Sequence, residues 1–186
     1  MRRIYVSGCG GMLGEAAHNV LKNNNLVKCS DIDLNEDWLD FLDFTNYESY
    51  MKEVKEFEAN ILIHLGALTN LEYCEENKNE TYKNNIMSVE NAAIISNKLD
   101  IPLVYISTAG IFDGKKDTYH DWDSPYPLNV YGDSKYQGEN IVRSLSSKYY
   151  IFRAGWMMGG GIKKDKKFVG KILNQIKSGK KTLKVV

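Results

Sequence analysis

The sequence has 186 residues, 43% hydrophobic and 26% charged, which is enough for one domain with a sizeable core. Lys and Arg together number 24, as do Asp and Glu, so no net charge favours nucleic acid or an anionic membrane as a partner. Three cysteines fit neither a disulfide framework nor a metal pattern, and no apolar stretch is long enough for a signal peptide or membrane span. We therefore expect a cytoplasmic protein with reduced thiols.

Short β-rich runs alternate with longer helical periods in the first part of the chain. Arg3 to Ser7 is predicted as the first strand, and an apolar helical stripe from Leu13 to Leu21 follows it. Leu26 to Cys29 is predicted as the second strand. A helical period from Tyr47 to Phe57 then leads into Ile61 to Leu65, an apolar run typical of a strand buried on both faces.

The later elements continue the alternation. They are a helix over Ile86 to Ala93, a strand over Leu103 to Ser107, a helix from Asn129 to about Ser146, a strand over Tyr149 to Arg153, a helix over Phe168 to Ile176 and the start of a strand over Thr182 to Val186. A basic run at Lys163, Lys164, Lys166 and Lys167 is interpreted as a solvated loop and helix start. The pattern predicts an α/β, Rossmann-like fold, a doubly wound parallel sheet with helices on both faces.

Glycines at positions 8, 11 and 14 lie between the first strand and the first helix. Without side chains at Gly8, Gly11 and Gly14, backbone N–H groups can approach a pyrophosphate at the positive end of the helix. An acidic residue about 20 residues further on normally binds the adenosine ribose; Asp31 holds that place, although Asp33 competes. A carboxylate there repels a 2′-phosphate and no Arg follows, so NAD(H) is favoured, with NADP(H) as the alternative.

Four other polar residues have weaker functional signals. Asp43 opens the next predicted helix and either accepts a hydrogen bond from the adenine amino group or stabilises the helix N-terminus. His64 follows an apolar strand and is interpreted as structural. His18 and His120 lack Cys, His or carboxylate partners at metal spacing, so no metal site is predicted.

Tyr131 and Lys135 are four residues apart, which places both side chains on one helix face. A neighbouring ammonium is expected to lower the pKa of Tyr131 from about 10 towards the working range. Tyr131 would then protonate a carbonyl oxygen as a hydride reaches its carbon, while Lys135 holds the nicotinamide ribose. Thr108 or Ser107 would hydrogen-bond the same oxygen. Such a Tyr/Lys pair is common by itself, but the glycine loop and the hydroxyl pair that accompany it indicate a redox site.

These motifs resemble those of the extended short-chain dehydrogenases/reductases, most closely the dTDP-4-dehydrorhamnose reductase branch of dTDP-rhamnose biosynthesis. The resemblance covers the whole chain and implies NAD(P)H-dependent reduction of a nucleotide-linked 4-keto-deoxy sugar. The matching runs are GxxGxxG at 8–14, LDFTN at 42–46, HLGALT at 64–69, NNIMSVENAA at 84–93, STAGIFDG at 107–114, PLNVYGDSKYQGE at 127–139 and FRAGWMMGGG at 152–161. By resemblance, the catalytic triad is Thr108, Tyr131 and Lys135. Residues implied to line the cofactor are Met12 and Leu13 along the pyrophosphate, with Gly66, Ala67 and Asn85 in neighbouring segments.

The chain departs from the family pattern in two respects. The family usually has Asp and Tyr after the Thr, whereas Ala109 and Gly110 stand here, so the identity of the sugar is left open. The related 4,6-dehydratases have an acid pair after that Thr for the elimination of water, and its absence here counts against dehydration. Relatives are longer, so we expect residues 1–186 to be an NAD(P)-binding Rossmann domain without a C-terminal substrate-binding portion. Two alternatives are a nucleotide-sugar epimerase and a non-catalytic dinucleotide-binding regulatory subunit, like the β subunit of methionine adenosyltransferase. A homodimer is a further alternative, by analogy with proteins of this fold in which surface helices pair.

Overall fold

Six parallel strands form one sheet in a computed structural model that describes residues 1–160, 164–165, 168–180 and 182–183. The strands are β1 (Arg3–Ser7), β2 (Leu26–Asp31), β3 (Leu39–Phe41), β4 (Ile61–His64), β5 (Leu103–Thr108) and β6 (Tyr149–Ala154). Their order in the sheet is β3-β2-β1-β4-β5-β6. The strand order reverses between β1 and β4, and α/β sheets bind ligands beyond the carboxyl ends of the strands at such a point.

Helices connect the strands, and several begin at an asparagine cap. The side chains of Asn46, Asn70 and Asn129 each accept a hydrogen bond from a backbone N–H in the first turn of the helix that follows. The helices are α1 (Met12–Leu21), α2 (Tyr47–Glu56), α3 (Leu71–Glu76), α4 (Lys78–Tyr82), α5 (Ser88–Lys98), α6 (Val130–Leu145) and α7 (Phe168–Lys177). A π-helical turn at Lys83–Met87 joins α4 to α5, and a 3-10 turn at Ala109–Ile111 follows β5.

Helices cover both faces of the sheet, which confirms the predicted α/β, Rossmann-like architecture. Alternating residues of each strand point to opposite faces. On one face, Tyr5 and Leu62 pack in a core with α2, α5 and α6. On the other face, Ile4 and Val6 form a smaller core against which Leu21 of α1 packs.

Three predicted details of packing and position are corrected. The stripe predicted on α1 is not uniformly buried, since Ala16 and Val20 are exposed. Strand β4 buries one face fully and the other only in part, because Ile61 and Ile63 are half-buried. Asp43 lies in the loop before α2, three residues before the cap Asn46, so it does not open that helix.

Some elements were not predicted, and one prediction falls at the end of the described chain. Strand β3 and helices α3 and α4 are short and have no clear apolar periodicity. The strand predicted over Thr182 to Val186 lies largely outside the described residues.

Among the described residues, no helix is long and apolar enough to cross a membrane. The free thiols of Cys9, Cys29 and Cys74 are buried.

A hydrogen-bonded polar network lies inside the main core around His64, which is 1% exposed. Nδ1 is 2.9 Å from Ser7 Oγ and 3.3 Å from the Tyr50 hydroxyl, and Nε2 is 3.1 Å from Ser88 Oγ. The Ser88 hydroxyl donates to the carbonyl of Asn84, so its oxygen is left to accept from Nε2–H. Burial, and secondarily the charge of Lys135, lowers the pKa of His64 to about 3. His64 is therefore a neutral core residue, consistent with its structural interpretation.

We predict that His64 contributes to acid denaturation. Its pKa falls from 6.5 to about 3 on folding, so only the unfolded state binds this proton as the pH drops below 6.5. At two pH units below 6.5 the expected loss is about 2–3 kcal/mol. Urea unfolding of His64→Asn, measured from pH 7 to 4.5, should depend less on pH than unfolding of the parent. His120→Asn, at an exposed position, is the control; equal slopes for both variants would contradict the prediction.

Candidate active site

Of the three motif glycines at positions 8, 11 and 14, two are tightly packed against backbone and one is open. Gly8 has a φ of +82°, and a Cβ there would lie 2.2 Å from the backbone nitrogen of Gly66. A Cβ on Gly14 would lie 2.3 Å from the carbonyl oxygen of Cys9. A Cβ on Gly11, by contrast, would have no described atom within 4 Å. A ligand can therefore approach the loop at Gly11.

Gly11 is also the N-cap of α1, and no described side chain caps its first turn. Met12 and Leu13, both half-buried, follow it in that turn. Backbone N–H groups at the start of a helix bind phosphate well, because they are free donors at the positive end of the dipole. The loop thus has the geometry that a pyrophosphate requires, at the position predicted from the sequence.

Asp31 ends β2 beside the glycine loop. Its Oδ2 accepts a hydrogen bond from Gly10 N at 2.8 Å, and its Oδ1 accepts one from Asp33 N at 3.0 Å. Asp33 is exposed, and its carboxylate accepts from Asn35, whose amide also donates to the carbonyl of Gly10 at 2.9 Å. Of the two candidate carboxylates, Asp31 is the one in direct contact with the loop.

A lysine that the sequence reasoning missed lies on the same side of the site. Lys164 Nζ is 2.8 Å from Glu36 Oε1 and 3.2 Å from Glu15 Oε2, and it lies 5.7 Å from the centroid of the Trp38 ring. Its side chain is only 7% exposed, which corrects the interpretation of this residue as solvated. Although burial opposes the charge, the ion pairs with Glu36 and Glu15 raise the pKa of Lys164. Lys163, Lys166 and Lys167 lie outside the described residues.

Of three further predicted cofactor residues, two lie in the loop that follows β4 and one supports that loop. Gly66 and Ala67 are half-buried there, next to Gly8. Asn85, in the π-helical turn, is fully buried and ties this loop to α6. Its Oδ1 accepts from Leu68 N at 2.7 Å, and its Nδ2 lies 3.0 Å from both Leu68 O and Ser134 Oγ. Asn85 therefore supports the loop, and its amide is not exposed to a ligand.

The carboxylate of Asp43 lies in the exposed loop before α2. Its Oδ1 accepts hydrogen bonds from the backbone nitrogen and hydroxyl of Thr45 at 2.9 and 2.7 Å. These bonds fix the loop. No hydrogen bond is described for Oδ2, so the predicted contact with an adenine amino group stays a prediction.

The predicted catalytic residues come together where β5 meets α6. The side chains of Tyr131 and Thr108 are near enough for Thr108 to lower the pKa of the Tyr131 phenol, against the larger effect of burial. Ser107, 2% exposed, faces the sheet core, so Thr108 is the hydroxyl that reaches Tyr131. A Cβ on Gly132 would lie 2.4 Å from the carbonyl oxygen of Gly110, so the close approach of the two elements requires a glycine.

Lys135 lies one turn beyond Tyr131 and is 3% exposed. Its ammonium is 4.2 Å from the centroid of the Tyr105 ring. Burial lowers the pKa of Lys135 from 10.5 to about 7, although the charge of Glu139 acts in the opposite direction. A Cβ on Gly138 would lie 2.3 Å from the Tyr105 hydroxyl, so this glycine allows the strand and the helix to pack closely around Lys135.

The prediction that Lys135 lowers the pKa of Tyr131 is wrong. Burial raises the pKa of Tyr131 above 10.0, and the polar side chain of Thr108 offsets this only in part. Lys135 instead lies over Tyr105. Tyr131 is therefore a protonated phenol at neutral pH.

Sequence reasoning also missed a buried ionic group next to this site. Glu139, four residues after Lys135 and fully buried, pairs with Arg143 at 2.9 Å and with Arg153 at 2.8 Å. The spacing from Lys135 to Glu139 was available in the sequence, whereas the partner on β6 was not. Among the described residues, no group of three or more His, Cys, Asp or Glu side chains could hold a metal ion.

We predict that Lys135 makes stability depend on pH. The unfolded chain protonates Lys135 below about pH 10.5, whereas the folded protein does so only below about pH 7. Its contribution to the free energy of unfolding therefore rises with pH between these values. Lys135→Met should be more stable than the parent at pH 7 by about 2 kcal/mol, a gap that shrinks towards pH 10.

Urea unfolding at several pH values tests this prediction. Lys148→Met is the control, because the Lys148 side chain is 51% exposed in its pair with Asp100. A Lys135→Met protein that is no more stable than the parent at pH 7 would contradict the lowered pKa of Lys135.

Comparison with known proteins identifies the family. The family model described as "RmlD substrate binding domain" matches residues 1–186. The dTDP-4-dehydrorhamnose reductase of Aggregatibacter actinomycetemcomitans is 31% identical over 160 residues, 86% of this chain and 53% of that protein. The structure of dTDP-4-dehydrorhamnose reductase from Bacillus anthracis in complex with NADP superposes with a TM-score of 0.83 at 30% identity, covering 98% of this chain and 62% of that one.

A relative of another kind matches over a similar length. Methionine adenosyltransferase 2 subunit beta of Danio rerio is 24% identical over 192 residues, 96% of this chain and 55% of that protein. The chain spans about half the length of the curated relatives it matches. The fold, the glycine loop and the Tyr131–Lys135 helix all lie within the 186 matched residues, and the chain thus belongs to the RmlD substrate binding domain family, among the dTDP-4-dehydrorhamnose reductase-like extended short-chain dehydrogenases/reductases.

Proposed function

We propose that this protein binds a nicotinamide dinucleotide and reduces the keto group of a nucleotide-linked 4-keto-deoxy sugar. The observation that carries the proposal is the close approach of α6 to the end of β5, which places Tyr131 beside Thr108 and Lys135 one turn further along the same helix. This cluster lies at the carboxyl end of β5, on the edge of the sheet that also bears the glycine loop. The similarity of the chain to dTDP-4-dehydrorhamnose reductases supports this choice.

Each residue of the cluster has a distinct task in this proposal. Tyr131 holds a proton on its phenol oxygen at neutral pH, because burial raises its pKa, and can donate it to the substrate carbonyl oxygen. Thr108 orients that phenol and the carbonyl through its hydroxyl. Lys135, with a pKa of about 7, is partly charged near neutrality and can donate hydrogen bonds to ribose hydroxyls. The bound dinucleotide supplies the hydride.

The residues present fit a dinucleotide. Gly11 is open to a ligand, and the first turn of α1 has no described side-chain cap, as a pyrophosphate requires. Asp31 lies beside the loop where the adenosine ribose is held in this fold. Residues 1–186 would thus form the dinucleotide-binding unit of the protein.

Of the two dinucleotides, we expect this site to favour NAD(H). The carboxylates of Asp31, Asp33 and Glu36 repel a 2′-phosphate on this side of the site. The one described cation among them, Lys164, is already paired with Glu36 and Glu15. The relative from Bacillus anthracis was solved with NADP, so the preference needs a direct test.

Binding of NADH and NADPH, followed by the fluorescence of the reduced nicotinamide, provides that test. We expect NADH to bind more tightly, and Asp31→Asn to narrow the preference by about tenfold because the carboxylate no longer repels the 2′-phosphate. Asp33→Asn is the matched control and should change the preference less than Asp31→Asn does, because the exposed Asp33 carboxylate does not contact the glycine loop. Tighter binding of NADPH by the parent, or a response to Asp33 alone, would show that Asp31 does not set the choice.

Replacement of Tyr131 by Phe tests the chemistry. The variant should lose at least about 100-fold in kcat, because the proton donor is absent, and should bind NADH as the parent does. NADH oxidation is measured with dTDP-4-dehydrorhamnose as the substrate, and binding by nicotinamide fluorescence. Turnover of the variant at the parent rate would disprove the role of Tyr131.

The same assay separates the alternatives. Net oxidation of NADH distinguishes a reductase from an epimerase, which regenerates its dinucleotide in each cycle. A parent protein that binds NADH, oxidises none of it with any keto sugar and copurifies with a partner enzyme at a fixed ratio would instead be a regulatory subunit.

A further inference from the structure

Arg153, near the end of β6, holds a buried carboxylate on α6. Its side chain is 14% exposed, whereas that of Glu139 is fully buried. Arg153 Nε donates to Glu139 Oε1 at 2.9 Å, and Nη2 donates to Oε2 at 2.8 Å. Burial opposes ionisation of Glu139, but hydrogen bonds, foremost that of Arg153, lower the pKa of the carboxyl. This charged bidentate pair joins β6 to the catalytic helix one turn beyond Lys135.

The same guanidinium contacts the segment between β5 and α6. We call residues 112–127 the aromatic loop, since it contains Phe112, Tyr119, Trp122 and Tyr126. Arg153 Nη1 donates to the backbone carbonyl of Asp121 at 3.0 Å, and the guanidinium lies 5.2 Å from the centroid of the Phe112 ring. One planar fork thus contacts the helix with two donors and the loop with a third. A lysine could not do this, because its ammonium is a compact point charge.

The aromatic loop is tied together internally, so the contact with Arg153 constrains much of it. The rings of Phe112 and Tyr119 stack with centroids 4.4 Å apart. Asp123 accepts from Lys116 Nζ at 2.8 Å and from the backbone nitrogen of His120 at 2.9 Å. These bonds bracket Asp121, the residue that Arg153 holds.

The ends of the loop are fixed to the site itself. The loop follows Thr108 through the 3-10 turn and ends just before Asn129, which caps α6. Trp122 is 81% exposed and Tyr126 is 64% exposed. Exposed aromatic rings of this kind stack on nucleobases and on the apolar faces of sugars.

We propose that Arg153 is a positioning residue that sets the aromatic loop against the catalytic helix, so that the loop's exposed rings contact the nucleotide-linked sugar. The inference rests on the proposed function, because it assigns the loop to the substrate side of the same site. Arg153 itself does not touch the reacting atoms. Its loss should therefore weaken substrate binding more than dinucleotide binding.

Arg153→Lys tests the inference, with Arg143→Lys as the matched control. Both arginines pair with Glu139, but Arg143 lies on α6 itself and its described contact is with that carboxylate alone. Arg153→Lys should raise amide hydrogen exchange in residues 112–127 by about fivefold and the KM for dTDP-4-dehydrorhamnose by about tenfold. The Kd for NADH should stay within about twofold of the parent value. Arg143→Lys should leave all three quantities unchanged.

The exchange and kinetic measurements can fail separately. Unchanged exchange in Arg153→Lys, or raised exchange with an unchanged substrate KM, would overturn the inference. A parent protein without reductase activity would defeat the proposed function and the substrate contact, whereas the exchange measurement would still decide whether Arg153 holds the loop.

If Arg153→Lys does not fold, Phe112→Leu removes the ring under the guanidinium and leaves the pair with Glu139 intact. Raised exchange and a raised KM in Phe112→Leu support the inference, and parent values overturn it.

Discussion

The close packing of α6 against β5 is the constraint on which the candidate site depends. Gly132 and Gly138 lie on the helix face that meets the strand and its following turn, and a single Cβ at either would overlap atoms there. Since the helix can therefore lie directly on the strand, Tyr131 reaches the hydroxyl at the end of β5 and Lys135 is buried over an aromatic ring. The glycines in the run YGDSKYQGE are thus as necessary to the site as the residues with reactive groups.

Much of the fold could be predicted because its signals are local. Strand β1 and helix α6, with its cap Asn129, were predicted within one residue from apolar runs and cap chemistry. Strand β3 was missed because three residues contain too little pattern to distinguish a strand from a turn. The exposure of Val20 on α1 shows the other limit, since periodicity predicts which residues share a face but not what packs against that face.

The positions of the site residues were more predictable than their electrostatics. The spacing of Tyr131 and Lys135 placed them on one helix face, where the structure has them. Their pKa values depend on burial and on neighbours distant in sequence, and for this reason the expected acidification of Tyr131 by Lys135 was wrong. The pairing of Arg153 with Glu139 joins two separate elements, so no local pattern indicated it.

The charges around α6 explain why Lys135 titrates near neutrality. The charge of Glu139 favours a charged Lys135, and the same carboxylate is paired with two arginines. The attraction to Glu139 does not offset burial, and the pKa of Lys135 falls to about 7. His64, fully buried and near enough to be affected by Lys135, stays neutral and adds no opposing charge. The arginines keep fixed charges, so Lys135 is the group in this cluster whose charge can respond to a ligand. A ligand that accepts hydrogen bonds from its ammonium raises its pKa and is favoured in return, because binding and protonation are linked.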